Sequence, residues 1–170
     1  MTQIEFVCKN VEKAIRHSNS RNPFEICSDL NIHIYYKDLG SKLKAYYFSQ
    51  SRIKNIIINS NVDPILQSTL CAHELGHSIL HDHLASLNGF HDFNPFNMLI
   101  PSEYEANLFA AELLIPDDEL AERVSNDNSS TEMAPLFEVP LELIYLKCKI
   151  LKAKGFNVNF EVLASDFLKN

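Results

Sequence analysis

A chain of 170 residues that is 46% hydrophobic is long enough to bury one core of its own. Its net charge of −7 and lack of a basic stripe interleaved with aromatics argue against direct nucleic-acid binding, and no apolar run approaches the roughly 18–20 residues of a membrane span. Cys8, Cys27, Cys71 and Cys148 are widely spaced with no CxxC pair, and the first residues lack a basic-then-apolar leader, so the expectation is a cytoplasmic protein with reduced thiols.

In chain order, the first twenty residues read as a helix, and Asn22-Pro23 marks a turn into a second, short one. Three β-rich runs follow at residues 32–36, 43–48 and 53–59, with a spacing that predicts a small antiparallel meander. Asp63-Pro64 then signals a helix start, with Asp63 as N-cap and Pro64 in the first turn. The expected helix runs to about His81. Leu66, Leu70, His73, His77 and Leu80 recur at helical spacing and form its inward stripe.

That stripe contains His73-Glu74-Leu75-Gly76-His77, an HExxH motif. Two imidazoles four residues apart share one helix face and can grip one metal ion, while the intervening Glu74 is placed to act as a base on a metal-held water. A buried imidazole pair without a partner is costly, which favours a metal over two satisfied core histidines. Gly76 weakens the helix by about 1 kcal/mol relative to Ala. Its expected reason is a close backbone approach, with the edge strand of a substrate groove as the neighbour. Cys71 is offset about 200° from the histidine face and reads as core.

The charge is unevenly spread. Residues 55–122 carry eleven Asp or Glu and no Lys or Arg, whereas residues 1–54 hold nine basic and five acidic groups. A metal site among carboxylates is the plainer meaning; a cleft attracting basic segments is the sharper one.

A catalytic zinc takes three protein ligands and keeps one open position. His83 is ten residues after His73, but a continuing helix carries it about 9 Å further along the axis than His77. The next helix, expected over residues 102–115 and ended by Pro116, offers Glu103 and Glu105. Ser102 and Glu105 have the pattern of a capping box, with Glu105 and Glu112 toward solvent. Glu103 shares the inward face with Asn107, Ala110 and Leu114. Glu103 is therefore the favoured third ligand, ahead of Glu105 and His83. Asn107 is placed to fix the tautomer of a ligating histidine as an outer partner. His81 reads as packing or as another outer partner. His91 and Tyr104 are the candidates for stabilising an oxyanion.

HELGH followed by Glu103-Tyr104-Glu105-Ala106-Asn107-Leu108-Phe109-Ala110 resembles the ImmA/IrrE family of metallopeptidases. The likeness covers about residues 70–116 and extends more loosely back to Asn22-Pro23. It implies a minimal zincin-like α+β domain, with a small antiparallel sheet packed on the HExxH helix. It also implies Zn²⁺ held by His73, His77 and Glu103, the last falling on the Glu of the family's second motif. The implied activity is that of a cytoplasmic antirepressor of phages and mobile elements. Its substrate would be a helix-turn-helix repressor made as a separate chain.

The remaining residues suggest a short helix from Asp117, a polar loop at 125–130 and an amphipathic helix from Leu141 to Lys154 with Gly155 at its end. Leu136 to Leu141 has the look of a turn between helices, with Leu143, Leu146 and Ile150 packing inward. The expected organisation is a peptidase domain at 1–124 and a helical extension at 125–170 packed on it. Against the endopeptidase reading stands a non-enzymatic regulator that binds its partner around a structural or vestigial metal site.

Overall fold

The computed structural model describes residues 1–82, 90–92, 99–125 and 130–158. Helix α1 (Gln3–Ser18) begins at a capping box, in which Thr2 Oγ1 accepts from the Glu5 N–H and Glu5 Oε2 accepts from the Thr2 N–H. Helix α2 (Pro23–Asp29) is capped by Asn22, whose side chain accepts from Phe24 N at 2.9 Å.

Strands β1 (Ile32–Lys37), β2 (Ala45–Gln50), β3 (Ile53–Asn59) and β4 (Phe90–Asp92) form one sheet in the order β1-β3-β2-β4. The α+β class holds, but the expected meander does not. Strand β1 runs parallel to β3, while β2 is antiparallel to both β3 and β4. The sheet is mixed because the chain between β1 and β2 passes across the end of β3 before turning back. Asn59, at the end of β3, secures that passage: its Nδ2 donates to the carbonyls of Gly40 and Leu43 at 2.7 and 2.8 Å. The β2–β3 hairpin turns on Ser51 and Arg52, both at positive φ (53° and 67°). Such a two-residue turn normally carries Asn-Gly, so the usual hairpin signal is missing here.

Helix α3 (Pro64–Leu80) starts as expected, with Asp63 Oδ1 accepting from Ile65 N at 2.8 Å. It lies between the sheet on one side and helix α4 (Pro101–Leu114) on the other. Every residue from Thr69 to Ser78 is buried, so the motif is enclosed on all faces. Two contacts tie the end of α3 to the sheet. Lys54 of β3 donates to the Ser78 carbonyl at 2.8 Å, and Tyr47 of β2 donates to the Asp82 carboxylate.

Gly76 permits the α3–α4 contact. A Cβ there would stand 3.1 Å from Phe109 Cβ, 3.2 Å from Ala106 Cα and 3.3 Å from Ala106 O. The close neighbour is thus a helix rather than the expected edge strand. Beyond α4 come α5 (Asp117–Ser125), α6 (Ser130–Leu136) and α7 (Leu141–Ala153). Residues 126–129 of the polar loop lie outside the described residues, and α6 is a helix that the sequence does not announce, since Pro135 falls inside it. Glu138, at φ 53°, turns the chain from α6 into α7, which packs on α4 with Leu143, Leu146 and Ile150 fully buried.

Glu112, expected at the surface, is buried instead. Its carboxylate accepts from the wholly buried Lys147 at 2.5 Å and from Lys154 at 2.6 Å, both on the C-terminal side of the chain, and both lysines also pair with Asp117. Arg21 closes the end of α4, donating to the Glu112 and Leu113 carbonyls at 3.0 and 2.9 Å. A cation there complements the negative end of the helix dipole.

Gly76→Ala is expected to lower stability by about 1–3 kcal/mol, because α4 backbone must move and that overpacking exceeds the helix-propensity gain. A thermal midpoint at or above that of the wild type would contradict it. Lys147→Ala, which leaves Glu112 and Asp117 to Lys154 alone, is expected to cost about 3 kcal/mol by denaturant unfolding, and Lys154→Ala clearly less.

Candidate metal centre

The i, i+4 spacing on α3 stacks His73 and His77 on one face, with ring centroids 4.7 Å apart and nearly perpendicular planes. His73 is 1% exposed, and Glu74 and His77 are wholly buried. Since α4 crosses at Gly76, its first turn delivers Glu103 to the same point. Glu103 Oε2 lies 3.2 Å from His73 Nε2, Oε1 lies 3.4 Å from His77 Nε2, and the two Nε2 atoms are 3.1 Å apart. Among the described residues this is the one group of three or more His, Cys, Asp or Glu side chains whose donor atoms converge within 4.8 Å.

The protonation pattern suits a cation. His73 Nδ1 meets Asn107 Oδ1 at 2.9 Å; an amide oxygen only accepts, so Nδ1 carries a proton and Nε2 is the nitrogen turned toward the cluster. Burial pushes the His77 pKa down to about 4, leaving a neutral imidazole at pH 7. Burial works to raise the Glu103 pKa, but the facing histidines outweigh it and bring it down to about 2. A neutral His77 beside an ionised Glu103 is the pairing that metal ligation requires. The edge of a tetrahedron with bonds of about 2.0–2.1 Å is about 3.3 Å, close to the separations among these three donors. The residues present therefore fit a four-coordinate divalent ion with one position to spare.

Around this core the other candidates fall into place. Glu74 follows His73 directly and stands three residues from His77, within the same enclosed stretch of α3. Cys71 faces Cys27, Sγ to Sγ 3.9 Å, and both are free core thiols. Glu105 is not part of a capping box. Ile100 occupies the N-cap of α4 with no side-chain cap bond, two residues before Ser102, and the helix begins at Pro101. Glu105 instead accepts from His81 Nε2 at 2.7 Å, and His81 Nδ1 meets His77 Nδ1 at 3.1 Å. Tyr104 has the Lys149 ammonium 5.9 Å from its ring centroid, which ties it to α7. His91 is the β4 residue paired with Tyr46, and His83 lies outside the described residues. Gln3 is the residue that sequence reasoning missed: its Nε2 donates to Glu105 Oε1 at 2.9 Å across a separation of 102 positions.

Comparison with known proteins agrees with this geometry. A peptidase family M78 model, described as the IrrE N-terminal-like domain, matches residues 27–149. The "uncharacterized immunity region protein 2" of Bacillus phage phi105 is 32% identical over 137 residues, covering 81% of this chain and 85% of that protein. "Metallopeptidase ImmA" of Bacillus subtilis (strain 168) is 33% identical over 134 residues, 76% of each chain.

The acidic limb of stability follows from the two shifts. For His77 the folded pKa of about 4 lies below the ordinary 6.5, so the unfolded chain binds more protons between those values, and stability present above pH 6.5 is lost as pH falls toward 4. Glu103 adds a loss in the same direction between its ordinary 4.5 and about 2. The metal-free protein should therefore melt at a lower temperature at pH 4.5 than at pH 7. Equal midpoints, measured by circular dichroism, would count against these protonation states.

Proposed function

The chain belongs to the ImmA/IrrE family of metallopeptidases, and from that premise we propose that it is a zinc-dependent endopeptidase acting on one partner protein. The observation that carries this reading is the convergence of His73, His77 and Glu103 from two helices, with Glu74 enclosed beside them. Two imidazole nitrogens and one carboxylate form a donor set suited to zinc.

In this reading His73, His77 and Glu103 hold the ion, which when bound polarises a scissile carbonyl and lowers the pKa of a water toward about 7. Glu74 takes the proton of the attacking water and delivers it to the leaving amine. Asn107 keeps His73 in the tautomer that turns Nε2 inward. Residues 1–124 carry the chemistry, and the chain from 125 onward braces α4 through α7. The proposed substrate is a separately encoded helix-turn-helix repressor, whose cleavage would make the protein an antirepressor. The phage relative's name as an immunity region protein supports that choice.

Glu74→Gln should retain one zinc per chain and lose about 10²–10⁴-fold in cleavage rate, whereas His73→Ala should lose both metal and activity. The assay mixes the purified chain with the repressor of the same element, with and without chelator, and resolves fragments on a gel. Cleavage that survives Glu74→Gln or chelation would overturn the proposal. A complex that forms without cleavage while zinc is bound would establish the non-enzymatic regulator instead.

A further inference from the structure

The two histidines of the motif lean on different outer partners. His73 Nδ1 bonds a neutral amide, that of Asn107. His77 Nδ1 meets His81 Nδ1 at 3.1 Å one helical turn on, His81 Nε2 reaches Glu105 Oε2 at 2.7 Å, and Gln3 Nε2 donates to Glu105 Oε1 at 2.9 Å. Three elements meet in this line: α3 with its cap residue His81, the second turn of α4, and the first turn of α1.

With one proton on each imidazole, a single assignment satisfies both of these contacts of His81. The Glu105 carboxylate can only accept, so the His81 proton is on Nε2. His81 Nδ1 is then a bare acceptor, and His77 must carry its proton on Nδ1. His77 Nε2 is left as a lone pair turned toward Glu103 and His73. At His81 any other assignment sets two lone pairs against each other, at 2.7 or 3.1 Å. The Nε2 lone pairs of His77 and His73, 3.1 Å apart, then converge with Glu103 on the point a cation would fill. His81 is 5% exposed, so water is largely kept from replacing these bonds.

We propose that His81 and Glu105 are positioning residues, an imidazole–carboxylate relay that holds His77 in its Nδ1–H tautomer and raises its affinity for the metal, with Gln3 steadying the carboxylate. The inference rests on the metal-site reading above and deepens it. Physically, a hydrogen bond from the outer N–H of a ligand imidazole both orients the ring and makes its inner nitrogen a better donor; loss of such a partner typically weakens metal binding 10–100-fold. The negative charge behind His77 arrives through a second imidazole because Glu105, two positions after Glu103 on α4, is carried away from the metal face and meets His81 instead. The relay also makes the N-terminal helix a participant in the site.

The test uses the full chain and three measurements: zinc dissociation constants by chelator competition, ¹⁵N imidazole spectra of the metal-free protein at pH 8, and its melting temperature. Glu105→Gln and His81→Phe should each raise the zinc dissociation constant about 10–100-fold, and Gln3→Ala should raise it by a smaller factor in the same direction. The wild-type spectrum, which requires no variant to fold, should show His77 as the Nδ1–H tautomer. His81→Phe should remove that preference while metal-free melting shows the chain still folded. Stoichiometric zinc in the wild type with a dissociation constant unchanged within twofold in Glu105→Gln would overturn the relay alone, as would an Nε2–H tautomer of His77 in the wild type. Absence of zinc from the wild type would overturn the metallopeptidase reading and the relay together.

Discussion

Helix α3 is buried on all sides through the stretch that holds His73, Glu74 and His77, and the rest of the molecule answers to that constraint. An unpartnered polar group in such a place costs several kcal/mol, and an unpaired charge more. The surrounding elements therefore supply matching groups at fixed positions. Helix α4 contributes Glu103 and Asn107 to the two histidines. Glu105 reaches the next histidine along. A helix that was only a packing element would have no use for this set of partners on one neighbour.

Helix α4 in turn is held at both ends. Its first turns face α3, where Gly76 admits Ala106 and Phe109 at contact distance. Its last turn presents Glu112 to Lys147 and Lys154, while Arg21 covers its terminal carbonyls. Isolated surface ion pairs contribute little, but Lys147 is wholly buried, and a buried pair fixes position more surely than it adds stability. Helix α7 thus sets the station of α4, and through it the placement of Glu103. Donor atoms that must keep a ligating geometry to within about 0.5 Å need such bracing.

Much of this was readable from residue spacing. The i, i+4 histidines, the Asp63-Pro64 start and the inward stripe depend only on helix geometry, and the structure reproduces the helix and its cap. The inward set Glu103, Asn107 and Ala110 was likewise legible from periodicity. The strand order was not. A parallel β1–β3 pair depends on how the intervening chain crosses, and neither Ser51-Arg52 nor the Asn59 bonds announce that locally. Solvent exposure of Glu112 was misjudged because a carboxylate seven residues from Glu105 looks superficial until its lysine partners, 35 and 42 residues on, are in view.

By itself the sequence determined the motif, the helices that bear it and the family to which the chain belongs, because these rest on short-range spacing and on likeness of residues. Tertiary structure decided how closely Glu103, already favoured from periodicity, meets the histidines, since that depends on where α4 crosses α3. It also decided that Glu105 serves His81 rather than capping its own helix, and that Gln3 reaches it from the far end of the chain. Hydrogen bonds and ion pairs between elements are set by the packing of whole helices, and that packing is the joint outcome of the core rather than a property of any local stretch.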